Sequence, residues 1–301
     1  MNAAPALLSY TAIVGFVAPR LLLRASWPYR APVLAAAVWH TLMASFAIGA
    51  ALAAYNVAMP TEHLHAGLMG LLHSCGMHVS AGEFDLGAAP RLAVALPAAI
   101  AIALVSSFAF HVARARRARA RHREAVDLVG RHSAGLSATV LPYGIPAAYC
   151  LPGRHARIVI SDAAVREFTP EQIGAVLEHE QSHIAGRHHL ALAAAEAFQS
   201  VFRRLPLAHH AREQTALLLE MVADDRALLR HSGEALATAM YEMATARTPA
   251  GGFAAGGHTV LIRMKRILGP REATHPALRG CVAAATVAVP LLPLLVTCPL
   301  G

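Results

Sequence analysis

Five residues in the middle of the chain, His179-Glu180-Gln181-Ser182-His183, have the types and spacing that metal-assisted hydrolysis needs. Side chains four apart on a helix share one face, so His179 and His183 can both offer an imidazole nitrogen to one ion about 2 Å away. Glu180 then lies beside the open coordination position, where it can take a proton from water and later deliver it to a leaving amine. A bound zinc ion lowers the pKa of water to about 7, and a peptide carbonyl is the natural target.

Catalytic zinc takes three protein ligands and leaves one position open. The third is expected from Glu220-Met221-Val222-Ala223-Asp224, where two carboxylates sit four apart on one helical face. Glu220 completes the ligand set, and Asp224 can accept a hydrogen bond from the distal nitrogen of a ligand histidine and so fix its tautomer. Asp225 and Glu213 are weaker ligand candidates because they lack that paired spacing. His188 and His189 read as surface or packing residues. Tyr241, His231 and His258 are the candidates for stabilising an oxyanion, with no residue pattern to choose among them. A purely structural zinc site would close its fourth position with Cys or His and would need no base, so the intact Glu180 favours an enzyme over a non-catalytic zinc-containing receptor.

The elements that position these residues are partly readable. Thr169-Pro170-Glu171-Gln172 combines an N-cap threonine, proline at the first helical position and glutamine three residues after the cap, and it predicts a helix running through the histidines. A second helix is expected from Ala208 to about Arg230, burying Leu217, Leu218, Met221, Val222 and Leu228. Leu190 to Phe202 is apolar but too short to span a membrane and reads as a core helix or one lying on the membrane surface. A glycine-rich loop, Pro249 to Gly257, precedes a short basic helix around Leu261 to Leu268. Upstream, Ala138 to Leu141, Ala147 to Leu151 and Arg157 to Ile160, punctuated by Pro-Tyr-Gly-Ile-Pro and Pro-Gly, read as a small antiparallel sheet. The strand at 147 to 151 could lie along the cleft and pair with substrate backbone.

Composition puts this domain in a membrane protein. Apolar residues make up 56% of the chain and charged ones only 15%, far from the soluble average. Apolar stretches run from Ala3 to Pro19, Ala31 to Met59, Leu92 to Val112 and Cys281 to Thr297, giving four spans. The first has no charged leader region or small-residue cleavage site and reads as a retained span. The formal charge of +8 is concentrated in Arg114, Arg116, Arg117, Arg119, Arg121 and Arg123, directly after the third span, which marks membrane orientation and argues against direct nucleic-acid binding. Arg20, Arg24 and Arg30 join spans one and two on the same side, while Pro60 to Pro90 contains no Lys or Arg and carries Glu62, Glu83 and Asp85. Both termini are therefore expected outside and the protease domain in the cytoplasm. The expected organisation is three spans with an outer loop over 1–113, a catalytic domain over 114–279, and the fourth span with a short outer tail over 280–301. Cys75 and Cys298 both fall outside, which permits a disulfide between them. His63, His65, His73 and His78 cluster near Cys75 and could form a second metal or sensing site.

These residues resemble the BlaR/MecR-type membrane zinc metallopeptidases, metallopeptidase family fifty-six, relatives of the HtpX and CAAX-processing zinc peptidases. The resemblance is carried by Ala148-Tyr149-Cys150-Leu151-Pro152-Gly153, the Thr169 helix start, His179 to His183 with Gly186-Arg187-His188-His189 after it, and Glu220 to Asp224. It implies a mainly α membrane protein: four transmembrane helices with a cytoplasmic α+β gluzincin-like zinc protease domain inserted between spans three and four. One Zn2+ would be held by His179, His183 and Glu220, with Glu180 as base and Asp224 in support. The implied partners are the lipid bilayer and a protein substrate, a winged-helix repressor cut in response to an outer-surface signal. Four residues, Cys298 to Gly301, follow span four in this sequence, so a penicillin-binding sensor domain is not expected. A quality-control protease of the HtpX kind is the alternative.

Overall fold

The computed structural model describes residues 3–58, 88–246, 257–270 and 275–297. The outer-loop histidines, and Cys75 and Cys298 between which the expected topology permits a disulfide, lie outside these residues. So does most of the glycine-rich loop.

The chain opens with helix α1 (Ala4–Arg24) and helix α2 (Pro32–Ala58), neither with an acidic residue and both apolar throughout most of their length. In α1 the ladder widens into a π-helical stretch at Ile13–Val17 just ahead of Pro19, which has no N–H to give to a regular turn. Helix α3 (Ala88–Val129) is 42 residues long. It carries the third apolar stretch and the arginine run as one rod, so positions 113 and 114 lie within a helix and not at a linker.

Strands β1 (Arg131–Ser133), β2 (Ala138–Leu141), β3 (Ala148–Leu151) and β4 (Arg157–Ser161) form one sheet in the order β1-β2-β4-β3. The sheet is mixed, which corrects the antiparallel expectation. β1 and β2 are antiparallel, as are β3 and β4, but β2 and β4 run parallel with Thr139 opposite Val159. The reason is burial. Ile158, Val159 and Ile160 are all buried, and such a continuous apolar run belongs in a central strand covered on both faces. The β3–β4 hairpin therefore folds back to place β4 beside β2, leaving β3 at the edge. β1, with the sequence Arg-His-Ser, has no apolar signal by which it could have been anticipated.

Helix α4 (Asp162–Glu167) follows, N-capped by Ser161, and then α5 (Pro170–Ala185), which carries the histidine motif. The expected capping box is present: Gln172 N–H donates to Thr169 Oγ1 at 3.3 Å, and Thr169 N–H donates to Gln172 Oε1 at 2.7 Å. The chain reverses through Arg187, whose φ of 48° is left-handed, into α6 (His188–Val201). Helices α7 (Pro206–Ala227), α8 (Gly233–Thr245) and α9 (Gly257–Leu268) complete the domain. A last apolar segment, α10 (Pro276–Thr297), is helical throughout with a 3-10 turn at Val289–Leu291. Among the described residues, four helices are thus long and apolar enough to cross a membrane: α1, α2, α10 and the Arg91–Val129 part of α3.

Two of the apolar clusters among the described residues bear on the position of the motif. One joins sheet and helices through Ile160, Phe168, Ile173, Val176 and Ala239. The other packs Val14, Trp39 and Met43 of α1 and α2 against Phe198, Leu207, Leu218 and Met221 of α6 and α7. Of the residues expected to be buried on α7, Leu217, Leu218 and Met221 are, while Val222 is half-buried, as is Leu228 just past the helix end. α6 packs against α2 and α3: Ser107 Oγ donates to the Ala197 carbonyl at 3.3 Å, and His40 Nε2 lies 3.1 Å from the Ala191 carbonyl.

Candidate active site

Ile173 and Val176 anchor one face of α5 on the sheet, and the same helical stripe continues to His179 and His183. α7 crosses α5 and brings Glu220 over both rings. His179 Nε2 is 3.5 Å from one Glu220 oxygen, His183 Nε2 is 3.4 Å from the other, and the two Nε2 atoms are 3.2 Å apart. One candidate ligand atom from each residue lies within 4.8 Å of the others.

The distal ring nitrogens are turned away from this point. His179 Nδ1 is 3.0 Å from Asp224 Oδ1, off the ideal hydrogen-bond line. His183 Nδ1 is 2.8 Å from Nδ1 of His188. With both distal nitrogens turned away in this way, two Nε2 atoms and a carboxylate converge on one point. That arrangement fits a divalent cation, and an N,N,O ligand set suits zinc.

Two contributors to this site were missed or undervalued in the sequence. His188 is buried, and its ring sits so close to the chain reversal that a Cβ on Gly186 would come within 2.5 Å of His188 Nε2. Its partnership with His183 depends on the left-handed turn at Arg187, and a spacing of five residues beyond His183 does not reveal it. Arg263, on the basic helix α9, is also buried. Its Nε donates to Asp224 Oδ2 at 2.8 Å, one terminal nitrogen donates to Asp224 Oδ1 at 2.6 Å, and the other lies 2.7 Å from Glu220 Oε2. The one available signal was an arginine on the inner face of an amphipathic helix, and only the packing of α9 gives it a partner.

Burial and these partners set the protonation of the metal-free site. Burial disfavours charge on His179, but Asp224 and Glu220 outweigh it and hold its pKa up at about 9. Burial dominates at His183 and pulls it down to about 4. Burial would raise both acidic groups, yet the bond to His179 and the Arg263 charge bring Glu220 down to about 2, and Arg263 with His179 lowers Asp224 as well. Glu180 behaves differently: burial raises its carboxyl, and His179 opposes this only in part. A carboxylate pushed up from its ordinary range is better matched to proton transfer near neutrality. Glu180 touches Cys150 of β3, whose thiol is pushed up to about 12 by burial and by that carboxylate.

A cavity of about 230 Å3 opens beside the cluster, with Glu180, Glu220 and Arg263 on its polar side and Val176, Met240 and Met243 on its apolar side. Ala148 of the edge strand β3 lines it too. The three oxyanion candidates do not line it. Tyr241 is 56% exposed, His231 lies against Gly174, and His258 is exposed. Among the weaker ligand candidates, Asp225 pairs with Arg266 at 2.7 Å, and Glu213 sits 3.3 Å from His209 near the other end of α7. Neither belongs to the cluster around His179.

Residues 112–247 match the model of peptidase family M48. The matched segment contains His179, Glu180, His183, Glu220 and Asp224, and it ends before Arg263. The match supports a metallopeptidase of that family, whose members depend on zinc, without singling out the BlaR/MecR type. No curated protein and no solved structure matches the chain.

Proposed function

We propose that the protein is an integral membrane zinc endopeptidase, with His179, His183 and Glu220 as zinc ligands and Glu180 as the catalytic base. The observation that carries this reading is the convergence of two histidine Nε2 atoms and the Glu220 carboxylate beside a cavity that is also lined by the half-buried Glu180. Zinc bound there supplies Lewis-acid polarisation of a peptide carbonyl and acidifies a water.

The remaining steps belong to side chains of this chain. Glu180 takes the proton of the attacking water and passes it to the leaving amine nitrogen as the C–N bond breaks. Asp224 holds the His179 ring so that Nε2 faces the ion, His188 does the same for His183, and Arg263 keeps both acidic side chains in register. The outer edge of β3 pairs with no strand among the described residues, and a substrate segment laid along it as an added strand would bring a backbone carbonyl to the cavity.

The finer reading is regulated proteolysis of a cytoplasmic winged-helix repressor, with the catalytic domain on the cytoplasmic side; it rests on the BlaR/MecR resemblance and on the arginine run of α3. An HtpX-like protease that removes damaged membrane proteins is equally compatible with the family match. A comparison of proteomes with and without active enzyme separates them: a single stabilised repressor supports the first, many stabilised membrane proteins the second. The catalytic reading is tested with Glu180→Gln purified in detergent. Zinc should be retained and peptide hydrolysis should fall by about a hundred- to ten-thousandfold. Equal hydrolysis by wild type and variant, with zinc retained in both, would falsify it.

A further inference from the structure

The four spans present an apolar belt, with Phe16, Ile102, Val105, Phe110, Val287 and Leu295 all exposed. On one flank the belt is interrupted. The turn between α6 and α7, Phe202-Arg203-Arg204-Leu205, is wedged between α1 and α2. Phe46 meets Phe198 and Phe202 edge-on with ring centroids 6.0 and 5.2 Å apart, and a Cβ on Gly15 would come within 2.9 Å of Leu205.

These contacts fix the height of the turn. At 1.5 Å per residue, Phe46 is about 21 Å from Pro32 and about 18 Å from Ala58, and Gly15 is about midway along α1. The turn therefore sits near mid-height of helices that are just long enough to cross a hydrocarbon layer about 30 Å thick. Shifting the layer until it cleared the turn would leave only residues 4 to 14 of α1 inside, too few to span.

α7 rises from this turn with two unlike faces. Leu207, Ala208, Ala211 and Leu218 are buried toward the spans. Arg203 and Arg204 in the turn, and His209, Arg212 and Glu213 on the opposite face of α7, are all exposed. Charged side chains left in hydrocarbon are costly, and water defects with local thinning are the ordinary relief.

We propose that the bilayer is thinned and hydrated along the α7 flank. Water and lipid headgroups there reach Arg203, Arg204, His209, Arg212 and Glu213 at the mid-height of the spans, while the α3 and α10 flanks meet lipid of full thickness. The protein thus wears an asymmetric lipid collar. This surface property holds whether or not the cavity is catalytic.

The test uses the full-length protein in phospholipid nanodiscs, with His209→Cys or Arg212→Cys on the polar flank, Val105→Cys on the apolar flank and Arg117→Cys on the exposed arginine run. Each is treated with a charged, membrane-impermeant maleimide, and the rate at the introduced site is read by peptide mass spectrometry. Positions 209 and 212 should react within about threefold of position 117, and position 105 at least about tenfold more slowly. Protection of 209 and 212 equal to that of 105 overturns the proposal, because lipid or another chain would then cover the flank. Equal fast reaction at 105 overturns it too, since the spans would then not lie in lipid at that height. The two polar-flank variants are independent, so one misfolded variant does not remove the test.

Discussion

The two ends of α7 carry similar chemistry in opposite settings. Toward the C-terminal end, Glu220 joins His179 and His183 of α5, backed by Asp224, Arg263 and His188, all three buried. Near the N-terminal end, His209, His210 and Glu213 also bring ligand atoms within 4.8 Å of one another. There the side chains are 58%, 30% and 50% exposed, and His210 Nδ1 lies 3.7 Å from the carboxylate. The first set draws on two crossing helices whose rotamers are held by packing and by a second layer of hydrogen bonds. The second set lies on a single helix and must order itself against water. Ligand types at helical spacing are thus shared by both ends, and the difference between them lies in what stands behind the candidate ligands.

That contrast can be broken by measurement. The largest effect is expected from Glu220→Ala: zinc measured on the purified protein should fall to background and hydrolysis with it, and retention of one zinc per chain would shift the ligand role to another group. Next comes pH. In the metal-free site His179 is held at about 9, so below that pH it carries a proton that zinc must displace, whereas His183, held at about 4, is already neutral. Zinc affinity should therefore rise by about tenfold per pH unit between pH 7 and 9 and level off above. Chelator competition across that range gives the slope, and a flat profile would mean that His179 is not charged in the apo protein.

A smaller loss is expected from Asp224→Ala, about ten- to a hundredfold in zinc affinity, since the ring of His179 loses its anchor while the ligand itself remains. Unaltered affinity in a folded variant would remove Asp224 from the metal centre. The smallest effects belong to the other end of the helix. His209→Ala and His210→Ala should leave zinc stoichiometry and activity unchanged and stability within about 0.5 kcal/mol. Loss of a bound zinc from either variant would erase the distinction between the two ends.

How much of this was open to sequence reading follows from the range of each interaction. The capping box at Thr169 and Gln172 and the shared face of His179 and His183 are local, set within one or two turns of helix, and they could be read directly. Glu220 and Asp224 could be named as a pair from their spacing, though not placed against the histidines. The parallel pairing of β2 with β4 could not be read, because it depends on which strand the packing of two faces forces to the centre. Arg263 was lost for the same reason: an arginine on a basic helix normally meets water, and only the seating of α9 against α7 turns it inward. His188 escaped because its contact with His183 requires the unusual backbone at Arg187.

The sequence by itself determined the candidate ligands and base, the helix that carries the motif, and four segments apolar enough to span a membrane, since each follows from periodicity, capping or transfer of side chains out of water. The tertiary structure alone decided which carboxylate meets which ring, which groups stand behind them, the edge position of β3, and the height of the α6–α7 turn among the spans. Those features depend on helix crossings and on contacts between residues far apart in the chain, and no local pattern records them.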